Sequence, residues 1–271
     1  MTAVTEVSHL EVQAAAQDLH YQVIDPSQGT IIADVSPVAV GTSQRRSAVK
    51  QVLAMLGRGR RIIPAEAHHI GRVVLRVADR QGPTLFFSDR AEKWMVNPCV
   101  PQVVVVDASG GVLGYLTDDH YAVMTPMDRK VANNIATIRS RRTLCDRNRD
   151  VVAEIYVQSP TYPGGKPVGT PEYNTRFVGP DGVVWAEIKS ARQVVEFSPQ
   201  TPSEVRSLIA ANMIANEVDK RLIPTGSDFR APVPLEPLSD PYPGYQQIHV
   251  EYMEYQQKFI KWYRERATPA G

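Results

Sequence analysis

The amino-acid sequence predicts an α+β protein: a mainly antiparallel sheet of several β-hairpins, flanking amphipathic helices, and an extended Pro-rich C-terminal arm ending in a helix. Three observations point there. Short apolar runs recur in pairs around Gly, Asp and Pro, as in VVVVDASGGVLGYL (103–116), which is the signature of a hairpin. Apolar residues at helical spacing follow Ser or Thr cap signals at several places. Beyond Pro224, the prolines at 232, 234, 237, 241 and 243 exclude a helix or central strand, because each removes a backbone donor.

Taken in order, Ser8 to Leu19 reads as a short opening helix, since Ser8 and Glu11 have capping-box spacing. YQVIDPSQGTIIADV (21–35) reads as a hairpin turning at Pro26 and Gly29. Thr42 opens a helix with an apolar face of Val49, Val52, Leu53 and Leu56, stopped by Gly57. Arg72–Ala78 and Thr84–Phe87 form a further strand pair, and Ser88–Val100 a short helix ended by Pro98. The hairpin Val103–Val106 with Val112–Leu116 follows. Thr125 and Pro126 then start a helix with Val131, Ile135 and Ile138 on one face and Arg139, Arg141 and Arg142 near its end.

Val151–Val157 is the next strand, followed by a Pro- and Gly-rich loop over 159–173. Thr175–Val178 and Val183–Ile188 flank a Gly179–Gly182 turn with proline second, and Gln193–Phe197 continues as strand. Thr201-Pro202-Ser203-Glu204 caps a helix bearing Val205, Leu208, Ile209 and Leu222. The final helix, Gln246–Arg266, spaces Ile248, Tyr252, Tyr255, Phe259 and Trp262 by four, three, four and three residues, an apolar seam. The order strand, Gly turn, strand, Thr, helix occurs at 21–56, 102–142 and 174–222, so the hairpin-and-helix unit is the expected building pattern. The expected regions are 1–150, 151–223 (packed on the first) and 224–271.

Composition restricts function. With 271 residues, 43% hydrophobic and 22% charged, the chain has the make-up of a soluble globular protein with a real core. A net charge of +1 means that any polyanion affinity must be local. Two cysteines, Cys99 and Cys145, lack metal-ligand spacing. The first twenty residues lack the apolar run of a signal peptide, and no run is long enough to span a bilayer. Cytoplasmic or virion localisation without a membrane partner is the expectation.

Candidate catalytic and metal residues are weak. His68 and His69 are adjacent, which in a strand sends them to opposite faces. Gly164-Gly165-Lys166 lacks the hydroxyl residue of a phosphate loop, with Pro167 in its place. Cys99 sits among Pro98, Val96 and Val100, a setting for an inert thiol. Residues 101–124 resemble the strand–turn–strand–Thr-Asp segment of cystathionine-beta-synthase-type domains, which would make Thr117 and Asp118 ribose and phosphate contacts. No second copy with a Thr-Asp ending occurs, whereas that family works in pairs, so this reading is not adopted. No catalytic residue, metal site or cofactor is assigned.

The leading expectation is a non-enzymatic structural or assembly protein that forms homo-oligomers, with a virion component as one form of it. Its contacts would be Tyr242, Tyr245, Tyr252, Tyr255, Phe259 and Trp262 of the arm and seam. The alternative is nucleic-acid binding through two basic helices, 45–61 and 129–149, with Arg45, Arg46, Lys50, Arg58, Arg60, Arg61, Arg139, Arg141 and Arg142 meeting phosphates. A small-molecule sensor for an adenine nucleotide, or an enzyme, near Asp118–His120 comes third.

Overall fold

Alternation of period two, not helical spacing, governs most of the described residues. The computed structural model describes residues 2–42, 70–80, 82–91, 102–117, 137–161, 172–188, 193–222 and 238–254. Twelve strands are found there: β1 (His9–Ala14), β2 (Tyr21–Asp25), β3 (Thr30–Thr42), β4 (Ile70–Asp79), β5 (Thr84–Ala91), β6 (Gln102–Asp107), β7 (Val112–Thr117), β8 (Thr137–Asp146), β9 (Val151–Thr161), β10 (Glu172–Val178), β11 (Val184–Ile188) and β12 (Val195–Phe197). Each pairs antiparallel with the next. β12 returns to β1, with Glu196 opposite His9 and Val195 opposite Leu10, so the sheet closes into a barrel. The strands on either side of residue 150 therefore share one wall.

The helices among the described residues are α1 (Thr2–Glu6), α2 (Ser203–Leu222) and α3 (residues 245–254). An eight-stranded barrel is about wide enough for side chains alone to fill it, and the diameter grows with strand number. Twelve strands leave a wider lumen, and α2 occupies it. Its Val205, Leu208, Ile209, Ala210, Ala211, Met213, Ile214, Ala215 and Val218 join one core with inward residues of the strands, among them Leu10, Val23, Val35, Leu75, Phe86, Val105, Leu116, Leu144, Ile155, Phe177 and Val195. Residues 205–215 of α2 are all buried, the polar Arg206, Ser207 and Asn212 included.

This architecture overturns the α+β expectation. α2 does not flank a sheet; it is enclosed by one. Ser8–Leu19 is not a helix: Leu10 and Val12 point inward while Glu11 and Gln13 do not, and residues 9–14 are β1. The apparent cap Ser8 instead shares a hydrogen bond with His9 Nδ1 at 3.0 Å. Ser88–Ala91 extends β5, and the basic end of the expected helix from Thr125 is β8. There the pairing jumps from Arg139–Tyr156 to Thr143–Glu154, a bulge that disrupts the period-two pattern. The hairpins at 21–35, 103–116 and 175–188 are present as read. The expected helix after Thr42, and the segments containing His68, Cys99, Asp118–His120 and Gly164–Lys166, lie outside the described residues.

The two ends of the barrel differ. β2–β3, β4–β5, β6–β7, β8–β9 and β10–β11 are joined at one end by tight turns. Four of them start from an aspartate: Asp25, Asp79, Asp107 and Asp146. Asp107 Oδ1 accepts from Ser109 N at 2.7 Å, Ser109 Oγ at 2.6 Å and Gly111 N at 2.9 Å. These donors outweigh burial and hold the Asp107 carboxyl below its usual range. Gly29, Gly82, Gly110 and Gly182 take the left-handed position in four of the five turns, and Arg149 takes it in the β8–β9 turn at φ 70°.

α2 enters at this same end. Arg206 donates there to the carbonyls of Thr5 (3.2 Å), Val7 (2.7 Å), Ser198 (3.2 Å) and Thr201 (3.1 Å), tying α1 and the 198–201 turn to the helix. At the opposite end β3, β5, β7 and β9 stop and β4, β6, β8 and β10 begin.

Candidate functional site

The C-terminal segment lies on the outer wall. Tyr242, Tyr245, Ile248 and Tyr252 form a second core with the outward residues Val74, Phe87, Val104, Val106, Tyr115 and Cys145. Strand alternation separates the two cores: Phe86 faces the lumen and Phe87 the arm. Glycines allow the close approach. A Cβ at Gly110, whose φ is +95°, would collide with the Pro243 carbonyl, and one at Gly41 would lie 3.2 Å from Leu238 Cδ2.

A charged pair sits beneath this segment. Arg72 on β4 and Asp89 on β5 are 1% and 0% exposed, so neither is solvated by water. Arg72 Nε donates to Asp89 Oδ1 at 2.8 Å and Nη2 to Oδ2 at 2.5 Å, a bidentate fork. Arg72 Nη1 donates to the Tyr245 hydroxyl at 3.0 Å and to His249 Nδ1 at 2.8 Å. The guanidinium also stands 4.5 Å from the centroid of the Tyr245 ring and 4.8 Å from that of Tyr252.

Tyr242 donates to Asp89 Oδ2 and stacks on Phe87 at 5.3 Å. Tyr252 donates to the Asp89 carbonyl and accepts from Val104 N at 3.1 Å, bridging β5 and β6. Tyr245 accepts from Leu238 N at 2.6 Å. Three phenols thus connect the arm to one ion pair.

The electrostatics follow from burial and this pairing. Burial alone would lower the Arg72 pKa, but the hydrogen bond and charge of Asp89 raise it above its ordinary value. Burial, reinforced by Asp89, raises Tyr242 well above the usual phenol range. Burial and the Arg72 charge push His249 down, against a smaller pull from Asp89. Arginine can only donate. The imidazole of His249 must therefore be neutral, with Nδ1 as acceptor and the proton on Nε2.

A second group lies alongside on β7 and β8. The hydroxyls of Thr117 and Thr143 are 3.1 Å apart, and Cys145 Sγ lies 3.8 and 3.9 Å from them. Tyr115 meets Glu251 at 3.3 Å and carries the Arg149 guanidinium 4.1 Å from its ring centroid.

Both oxygens of Asp89 are occupied by donors from the chain itself. The arrangement holds the C-terminal segment to the barrel wall. Among the described residues no group of three metal-ligating side chains converges, and no helix is long and apolar enough to cross a membrane.

The sequence-predicted residues are distributed as follows. Tyr242, Tyr245 and Tyr252 are brought together, against the chain's own barrel. Tyr255, Phe259 and Trp262 lie outside the described residues, as do Arg45, Arg46, Lys50, Arg58, Arg60 and Arg61. Arg139 and Arg141 belong to β8 rather than to a helix. Arg142 is buried and reaches Asn216 Oδ1 at 3.2 Å and Asn212 Oδ1 at 3.5 Å on α2, so it faces the lumen. Thr117 is buried in the hydroxyl–thiol group.

Arg72, Asp89 and His249 escaped the sequence reading. Arg72 and Asp89 are charges set beside apolar runs, in RVVLRV (72–77) with Arg76 and in FFSDR (86–90) with Arg90, and those interruptions were the available signal.

By architecture the protein is a closed antiparallel barrel with an internal helix and a C-terminal clasp on its outer wall. No protein-family model, curated protein or solved structure matches this chain.

Proposed function

We propose that the protein is a non-enzymatic binding protein, with the barrel as a fixed holder whose long-connection end meets the phosphates of a nucleic acid. The observation that carries this is the segregation of the connections. Tight turns and α1 occupy one end, and the connection from β3 to β4 attaches at the other. That connection, 43–69, contains Arg45, Arg46, Lys50, Arg58, Arg60 and Arg61 against Glu66 alone, in a chain of net charge +1. A local excess of cations is what gives affinity for a phosphate backbone, with release of condensed counterions.

The reading is narrower than the one drawn from sequence, because 137–146 is a strand and Arg142 faces α2. The test is fluorescence anisotropy with labelled single- and double-stranded oligonucleotides over a salt series. Affinity should fall steeply with salt. Arg60→Ala with Arg61→Ala should flatten the log–log slope by roughly 0.7–0.9 per lost phosphate contact. Salt-independent binding, or indifference to that pair, sinks the reading.

Homo-oligomer assembly is the second reading. Tyr242, Tyr245 and Tyr252 are engaged by the chain's own barrel, so Tyr255, Phe259 and Trp262 are the seam residues proposed to meet another copy. Light scattering over a concentration series, for the full chain and one ending at Glu254, distinguishes them: equal masses count against assembly through the seam.

A further inference from the structure

We propose that His249 makes the C-terminal segment a pH-sensitive clasp, so that acidification releases residues 238–254 from the outer wall of the barrel. His249 Nδ1 accepts from Arg72 Nη1 at 2.8 Å, and its ring stacks on Tyr245 at 5.9 Å and 17°. Arg72 is fixed from the other side by Asp89 and cannot shed its proton or turn away without breaking that fork. Protonation at Nδ1 therefore exchanges an acceptor for a donor and sets two cations at hydrogen-bond distance in a half-buried site.

The charged and titratable groups facing this position are Arg72 from β4, Asp89 from β5, and Tyr242, Tyr245 and Tyr252 from the segment itself. Glu251 turns away, toward Tyr115 and Arg149. Asp89 is the one compensating anion among them, and both of its oxygens are already taken.

The sign follows from linkage. With the clasp closed, the imidazole pKa lies below the ordinary 6.5; with it open, the imidazole returns to that value. In the window from 6.5 down to the depressed value the open form binds more protons, so closure is full above 6.5 and is lost as pH falls through the window. Each unit of depression weakens closure about tenfold.

Hydrogen exchange of the full chain, corrected for the intrinsic pH dependence of exchange, reads the clasp directly. Protection of 245–254 should fall between about pH 7.5 and about pH 5, by up to about tenfold for each unit by which closure depresses the imidazole, while that of α2 stays constant. His249→Asn keeps an acceptor oxygen without a titrating proton and should hold protection at both pH values. His249→Phe, with no acceptor, should lower it at both. Equal protection of the wild-type segment at the two pH values overturns the proposal, as does the same fall in His249→Asn. If that variant loses α2 protection and so misfolds, the histidine ring resonances of the wild type decide. A His249 midpoint at or above 6.5 overturns the proposal; one below it supports it.

Discussion

Asp89 concentrates more of the outer wall's polar energy than any other described side chain, because Arg72 and Tyr242 both depend on its carboxylate. Removing the charge alone strands a guanidinium that is 1% exposed. Asp89→Asn should therefore destabilise by about 3–5 kcal/mol. Replacing both partners with apolar residues, Arg72→Met with Asp89→Leu, should cost far less than the sum of the single changes. Urea unfolding of the four proteins closes that cycle; additivity would show that the pair does not act as a unit. Tyr252→Phe is gentler. It removes the phenol that joins the Asp89 carbonyl to Val104 N, and should cost about 1–3 kcal/mol if those groups find no other partner.

At the scale of elements, α2 packs closely against β7. Gly114 faces the lumen, and a Cβ there would collide with the Cys145 carbonyl oxygen and come within 2.9 Å of Leu208 Cδ2. A backbone oxygen cannot step aside cheaply. Gly114→Ala should lower stability by about 1–3 kcal/mol through overpacking, while Gly29→Ala leaves α2 untouched and is strained only by its φ of 64°. Thermal melts of the two variants, with near-UV circular dichroism as a measure of core packing, separate the effects. A Gly114→Ala protein as stable as the parent would mean that α2 is not held against β7.

The elements also show what could be read from the residues. Hairpin turns are local chemistry, so Asp107 to Gly111 and Gly179 to Gly182 announced themselves. Ser8 misled because a hydroxyl before a run of mixed residues resembles a cap whether strand or helix follows, whereas the helix expected after Thr201 is present over Ser203–Leu222. The Thr201 hydroxyl donates to the Trp185 carbonyl of β11 instead of closing a capping box. The three tyrosines were legible as an apolar set, but Arg72 and Asp89 were not, since their importance comes from a pairing between strands and an arm more than 140 residues away.

The whole molecule adds closure, which no single stretch of residues specifies. α2 looked amphipathic when paired with a flat sheet; only a wall on every side explains Ala210, Ala211, Asn212 and Met213 all being buried. That closure divides the protein into an inner core of strands and α2 and an outer one shared with the arm. Among the described residues the inner core contains none after Val218. A chain ending at Pro237 should therefore keep the barrel. It loses the partners of Val74, Phe87, Val104, Val106 and Tyr115 and leaves Arg72–Asp89 newly solvated, so its wall becomes an exposed apolar patch. Far-UV circular dichroism should retain the strand signal and a cooperative melt at a lower midpoint, and a hydrophobic dye should bind where it does not bind the full chain. Loss of the cooperative transition would instead show that the clasp is part of the barrel's folding unit, and that the two cores cannot exist apart.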